Sequence, residues 1–385
     1  MKKILIINDG RKTTNWGLQA SSQALITVLT SKKHQITTLS HKLLHQAYTI
    51  SPEIFGKNLF SSESRLQKKV SPQFIKIPFT ADQYEYYEEQ WIKGKGGTYS
   101  KIIMNQIEEN DIILFNAEGS TYRKNFGSLA GLFLLYLSSK RFGKRSYFTN
   151  GSVSITSVDN VLEGIINKVY KADVKFSVRE PYSYRNLINI GVHSEIVPDS
   201  VFYYAEESKV SKINKYFSVS KSMLPMLIDK KNKVNDPFIN LIVRISEETD
   251  LSPILLSRDP EDEVILTIKK YIKDSRVCTG KNINFKEVQK IISDSNFLIS
   301  GRYHHLIFGA NTYTPLCFMG SSSHKVHGLS ELLTGSDHET VYDPTNIKLI
   351  SDQIINQCIN SQSIRWNPMD LKKKFINYVN HEILD

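Results

Sequence analysis

Short apolar runs recur along the chain, each followed by polar or glycine-bearing residues and then by a stretch with helical spacing. In the first half the runs are Ile4–Ile7, Ile112–Phe115, Ser146–Thr149, Val174–Val178 and Glu195–Val197. In the second half they are Tyr216–Val219, Ile254–Leu256, Arg276–Cys278, Phe297–Ile299, Pro315–Phe318 and Thr340–Tyr342. Short apolar runs alternating with helical stretches predict parallel sheets with helices on both faces. Helices are predicted at Glu261–Lys273, at Phe285–Ser293, where Val288, Ile291 and Ile292 keep a helical spacing, and at Asp370–Leu384. The longest apolar run, Leu129–Leu137, is bounded by Arg123, Lys124, Lys140 and Arg141. It is too short to span a bilayer and predicts a buried helix.

The texture changes after Phe202. The polar stretch Ala205–Lys215 reads as a linker, and 385 residues favour two domains, residues 1–205 and 206–385. The weakly periodic stretch Leu43–Tyr99, rich in Lys, Ser and aromatics, reads as an insertion near a substrate entrance. The expected architecture is α/β, two Rossmann-like domains facing a central cleft. In such sheets ligands bind beyond the carboxyl ends of the strands, so the polar residues just after each strand are the candidates.

Four segments meet that condition. Asp9–Gly17 runs from the first strand into a helix, so Asn15 and Gly17 either help hold an oxyanion at the helix start or make a turn and cap. It lacks the glycine spacing of nucleotide-binding loops. Asn116 and Glu118 follow the next strand; Glu118 can act as a base, or cap a helix or pair with a lysine. Arg179 and Asp199 follow two later strands, and the pair reads either as an anion-binding fork or as an ion pair at the domain boundary. The fourth segment, Ser300-Gly301-Arg302-Tyr303-His304-His305, crowds a cation and two histidines onto one helix start. Histidine exchanges protons near neutral pH. One of the two is expected to pack in the core, and His305 is the choice. Ser321 and Lys325 add a donor and a charge after the following strand.

Charge and cysteine content narrow the setting. The net charge of +10 fits a small anionic donor, an anionic surface or a merely soluble exterior. Basic residues form no single tract, so nucleic acid is not expected. Three widely spaced cysteines, Cys278, Cys317 and Cys358, outline neither a disulfide framework nor a metal site. Their spacing and the lack of a leader-like start point to the cytoplasm, with peripheral membrane association a further expectation.

Five short words, in order, resemble the polysaccharide pyruvyl transferase family. They are Asn15-Trp16-Gly17, Asn116-Ala117-Glu118-Gly119, Arg179-Glu180-Pro181 with Ser183, Pro198-Asp199-Ser200 and Ser300-Gly301-Arg302-Tyr303-His304, with Lys325 downstream. The resemblance runs from Asn15 to about Leu333 and is weakest in Leu43–Tyr99. It implies a glycosyltransferase-B-like fold and transfer of pyruvate from phosphoenolpyruvate onto two hydroxyls of a surface glycan or its lipid-linked precursor. It needs no metal and no cofactor besides that donor. Under it, His304 and Glu118 carry proton transfer. Arg302, Lys325, Arg179 and Ser321 face the donor, and Asn15, Gly17, Asn116 and Asp199 lie on the acceptor or loop side. The alternative on the same fold is a glycosyltransferase using a nucleotide-activated sugar.

Overall fold

A computed structural model describes residues 1–46, 75–118, 126–155, 160–207, 214–220, 237–257, 263–321, 323–335, 341–343, 346–359 and 366–384. The first sheet contains β1 (Lys3–Asp9), β2 (Gln35–Ser40), β3 (Ile112–Asn116), β4 (Arg145–Gly151), β5 (Lys175–Val178) and β6 (Ser194–Ile196). All pairings are parallel, in the order β2-β1-β3-β4-β5-β6. Its helices are α1 (Trp16–Ser31), α2 (His41–Gln46), α3 (Tyr84–Ile92), α4 (Ser100–Glu109), α5 (Phe126–Phe142), α6 (Asn160–Tyr170) and α7 (Pro181–Asn189).

The second sheet contains β7 (Tyr216–Ser220), β8 (Ser252–Ser257), β9 (Arg276–Thr279), β10 (Leu298–Ser300), β11 (Leu316–Met319) and β12 (Val341–Tyr342). They too are parallel, in the order β12-β11-β10-β7-β8-β9. Numbered from its own first strand, that is the 3-2-1-4-5-6 order of dinucleotide-binding sheets. Its helices are α8 (Pro237–Thr249), α9 (Glu263–Tyr271), α10 (Phe285–Ser293), α11 (Tyr303–Asn311), α12 (Lys325–Thr334) and α13 (Ile347–Ile359), and α14 (Pro368–Tyr378) follows them in the chain.

Strand periodicity sorts the core. In β1 and β3, Leu5, Ile7, Ile113 and Phe115 pack on one face beneath α5, while Ile4, Ile6, Ile112 and Leu114 pack on the other beneath α1. The run expected to be a buried helix lies in α5, buried throughout from Phe126 to Ser138. One feature departs from the expected division at residue 205. The chain returns to the first sheet at its end: Phe375, Tyr378, Val379 and Ile383 pack against Ile4 and Ile6. The stretch Leu43–Tyr99 falls partly outside the described residues, but α3 within it is core structure, with Tyr84 and Trp91 edge-on to Phe133.

The two domains share a core cluster. Trp16, Ala20, Val201 and Phe202 from the first half pack with Leu298, Leu306 and Ile307 from the second. Trp16 Nε1 donates to Ile283 O at 2.8 Å. A Cβ on Gly280 would overlap Thr14 O, so the loop before α1 lies directly against the loop after β9. This contact brings the carboxyl ends of both sheets to one place.

Candidate active site at the domain junction

Each sheet has one point where its strand order reverses, between β1 and β3 and between β7 and β10. Glu118 follows β3 and His304 follows β10, and the two meet, with His304 Nδ1 3.5 Å from Glu118 Oε1. The other ring nitrogen, Nε2, lies 3.4 Å from Asp199 Oδ2 and 3.4 Å from Arg179 Nη1. The imidazole therefore stands between carboxylates contributed by two strand ends of the first domain. His304 belongs to the first turn of α11, which presents it from the second.

Behind the histidine the groups are fully enclosed. Arg179 is 1% exposed and Asp199 0%, with Arg179 Nη1 donating to Asp199 Oδ2 at 2.7 Å. Arg179 Nε donates to Ser152 Oγ at 2.9 Å, and its guanidinium lies 4.1 Å above the centre of the Tyr303 ring. Asp199 Oδ1 accepts from Val201 N at 3.0 Å. Burial alone would raise the Asp199 carboxyl. The hydrogen bond and charge of His304, with Arg179 and the Val201 amide, outweigh burial and hold it at about 2. Burial likewise opposes the Arg179 charge, but Tyr303, Asp199 and Glu118 raise it beyond its ordinary range. Both readings of the Arg179–Asp199 pair thus resolve to the ion pair. Arg179 is not an open anion fork: its Nε is committed to Ser152 and its Nη1 to Asp199 and His304.

The loop into α1 is explained by the same junction. Asn15 caps α1, its Oδ1 accepting from Gly17 N at 3.1 Å and Leu18 N at 3.3 Å. Trp16 anchors in the second domain. Gly17 is small because a Cβ there would overlap the His304 ring. Turn, cap and clearance account for all three residues, so Asn15 does not hold an oxyanion with its side chain.

Asn116, expected on the acceptor side, is fully buried behind the cleft. Its side-chain amide donates to Ser22 Oγ at 3.1 Å, and its Oδ1 accepts from Asn150 Nδ2 at 3.0 Å. Asn150 also donates to Ser200 Oγ at 2.8 Å. Asn8, which donates to Asn116 O at 2.7 Å, and Asn150 both take positive φ at strand ends, a conformation asparagine tolerates. This network stiffens the strand ends that carry Glu118 and Asp199.

On the second domain, α11 and α12 both begin without a side-chain cap. Arg302 is at the cap position of α11, and Lys325, which is buried, stands in the first turn of α12. Ser321 Oγ is turned to Ser323 O at 2.9 Å. His305 is buried against Trp16, with ring centroids 5.3 Å apart, and burial drives its pKa far down. It is a core residue, as expected for one of the pair.

One cluster was not anticipated. Glu180, fully buried, caps α7 through Ser183 N and lies 3.2 Å from His324 Nε2 across the junction. Gly328 on α12 leaves it room, because a Cβ there would meet its carboxylate. Tyr182 stacks on His324, and Arg185 makes a two-pronged bridge to Glu331 at 2.7 and 2.8 Å. Its signals in the sequence are the Arg179-Glu180-Pro181 word with Ser183 and the polar run after β11 that contains His324.

A family model described as polysaccharide pyruvyl transferase matches residues 42–323, most of the chain. The chain belongs to the polysaccharide pyruvyl transferase family. The match contains Glu118, Arg179, Asp199, Arg302 and His304, and begins after the Asn15-Trp16-Gly17 word. It also takes in Leu43–Tyr99. As a family member the protein is a transferase, with polysaccharide pyruvyl transfer its family activity. Among solved structures, it is similar to a UDP-GlcNAc 2-epimerase from Methanocaldococcus jannaschii. That match has 9% identity and a TM-score of 0.57, and covers 100% of both chains. It is also similar to TarM, with 9% identity and a TM-score of 0.55 over 100% of this chain and 98% of that one. A third likeness is to MnaA of S. aureus, solved with UDP, at 11% identity and a TM-score of 0.51 over 100% and 97%. At these identities the likeness establishes the fold, two Rossmann-like domains of glycosyltransferase-B type. No curated protein matches the chain.

Proposed function

We propose that this pyruvyl transferase family member moves pyruvate from phosphoenolpyruvate onto two hydroxyls of one sugar in a surface polysaccharide or its lipid-linked precursor. The observation that carries the reading is His304, set between Glu118 and Asp199 at the meeting of the two switch points. Enolpyruvate chemistry needs an acid, a base and cationic clamps, and the junction supplies those residue types together.

His304 donates a proton to the methylene carbon of the donor, and a sugar hydroxyl bonds to the neighbouring carbon, which becomes electrophilic. Glu118 takes the proton of that hydroxyl. The contact between Glu118 Oε1 and His304 Nδ1 lets the proton return to the histidine. The second hydroxyl then bonds to the same carbon, the carbon–oxygen bond to phosphate breaks, and the second hydroxyl proton leaves with phosphate. The products are a cyclic ketal and inorganic phosphate. Arg302, Lys325 and the two uncapped helix starts face the donor anion. Arg179 and Asp199 fix the imidazole from behind. The free, buried state of all three cysteines fits residence in the cytoplasm, which is part of this proposal.

Ligand-induced thermal stabilisation tests the donor, because a ligand that binds only the folded chain raises its melting temperature. Phosphoenolpyruvate is expected to stabilise the protein, and Arg302→Ala to abolish the effect without unfolding it. The second reading, a nucleotide-sugar donor, draws on the dinucleotide-type strand order of the second sheet. Stabilisation by uridine nucleotides and none by phosphoenolpyruvate would replace the first reading with the second.

A further inference from the structure

The opposite end of the first sheet carries a different chemistry. Where β4 and β5 begin, a cavity of about 350 Å³ is lined by Lys140, Lys144, Arg145, Lys171 and Lys175, with Asp173. Arg145 and Lys175 line it beside the returning C-terminal segment: Arg145 Nη2 donates to Glu382 O at 3.1 Å, and Lys175 Nζ lies 3.8 Å from Glu382 Oε2. Lys144 donates to Glu108 O at 2.7 Å. Lys140 and Lys171 are exposed, and their side chains form no hydrogen bond or ion pair among the described residues.

We propose that this edge docks onto an anionic lipid surface, with phosphate headgroups entering the basic cavity. Charge complementarity and placement carry the proposal. Five cations line one concavity that holds a single carboxylate, Asp173, while Glu382 and Glu195 lie near Lys175 and Glu85 near Lys140. The turns before adjacent parallel strands lie about 4.8 Å apart along one sheet edge. Their side chains can therefore meet a flat surface together, as each lysine in a scattered distribution could not. The catalytic junction lies at the other end of the strands, so docking leaves it open. No helix among the described residues is long and apolar enough to cross a membrane, so attachment through these residues would be peripheral. The inference does not depend on the identity of the donor.

The test is flotation with vesicles of phosphatidylcholine alone and of phosphatidylcholine with a third of the lipid as phosphatidylglycerol. The whole chain is compared with the K140E/K144E/K171E triple and with K269E/K270E/K273E, an equal charge change on exposed lysines at and beyond α9. Wild type is expected to bind only the anionic vesicles, more weakly as salt rises. Each lysine near such a surface strengthens binding about fivefold, so losing three weakens it at least about 100-fold. The control triple should stay near wild type. A Lys→Gln triple at 140, 144 and 171 should lose part of the binding at an unchanged melting temperature, which separates docking from misfolding. Equal loss in both charge-reversal triples would overturn the proposal in favour of net charge alone. No vesicle binding, together with stabilisation by inorganic phosphate that the first triple removes, would overturn it in favour of a small-anion pocket.

Discussion

His304 is held by its surroundings more tightly than by its own helix. Glu118, Asp199 and Arg179 flank its two nitrogens, and Gly17 leaves the space in which the ring stands. Removing the imidazole with His304→Gln is expected to lower turnover about 100-fold or more, the scale of a lost general acid–base group. Gly17→Ala probes the same ring from outside. Alanine suits the first turn of a helix, so the helix tolerates it, but its methyl group displaces the imidazole. It should lower turnover at least tenfold while leaving the helical signal unchanged, measured as phosphate released from phosphoenolpyruvate with acceptor present. Normal turnover in a folded Gly17→Ala protein would show that the ring position does not matter. At this scale the sequence was informative about residue type and silent about occupation. Arg179 and Asp199 could be named as a pair, yet only burial shows that the arginine is committed to holding the site. Asn15 could be read as an oxyanion holder or as a cap, and the folded chain uses it as a cap; Asn116 stood at a strand end like Glu118, yet the folded chain buries it.

Elements were readable where their apolar pattern was strong. The strand runs from Ile4 to Tyr342 each overlap an observed strand, and the central strands β1, β3, β7, β8, β10 and β11 are mostly buried. Strand β2 escaped because it is an edge strand, Gln-Ile-Thr-Thr-Leu-Ser, in which only Leu39 is fully buried. The α7–α12 seam could not be read from pattern, since it depends on how two domains meet. That seam makes its own prediction. Glu180 is buried beside Gly328, and a methyl group there would push the carboxylate off His324. Gly328→Ala should therefore destabilise the protein by about 1–3 kcal/mol, the usual cost of overpacking, despite alanine being the better helix former. A urea titration reads this as a lower midpoint, and a raised midpoint would mean that the seam yields freely.

Across the molecule, the junction ties stability to pH and couples the domains. The Asp199 carboxyl sits at about 2 in the folded chain and near 3.8 when free. A depressed acid stabilises fully above its unfolded value and loses that contribution as pH falls through the folded one. About 2 kcal/mol should thus disappear between about pH 4 and about pH 2. Glu180, also held low as His324 and Ser183 outweigh burial, adds in the same direction. Asp199→Asn should flatten this part of the acid-unfolding curve. Trp16 tests the coupling itself. It leaves the first domain at the start of α1, packs on His305 and donates to Ile283 O, so its ring contact and its hydrogen bond both lie across the junction. Trp16→Ala removes them at a cost of about 3–5 kcal/mol, typical of a large buried aromatic. Because each sheet keeps its own core, that loss should fall on the docking of the domains first. Calorimetry is expected to split one unfolding transition into two, with the site inactive once the first is passed. A single transition displaced to lower temperature would instead mean that the shared cluster belongs to one cooperative core, with the return of α14 to the first sheet holding the halves together.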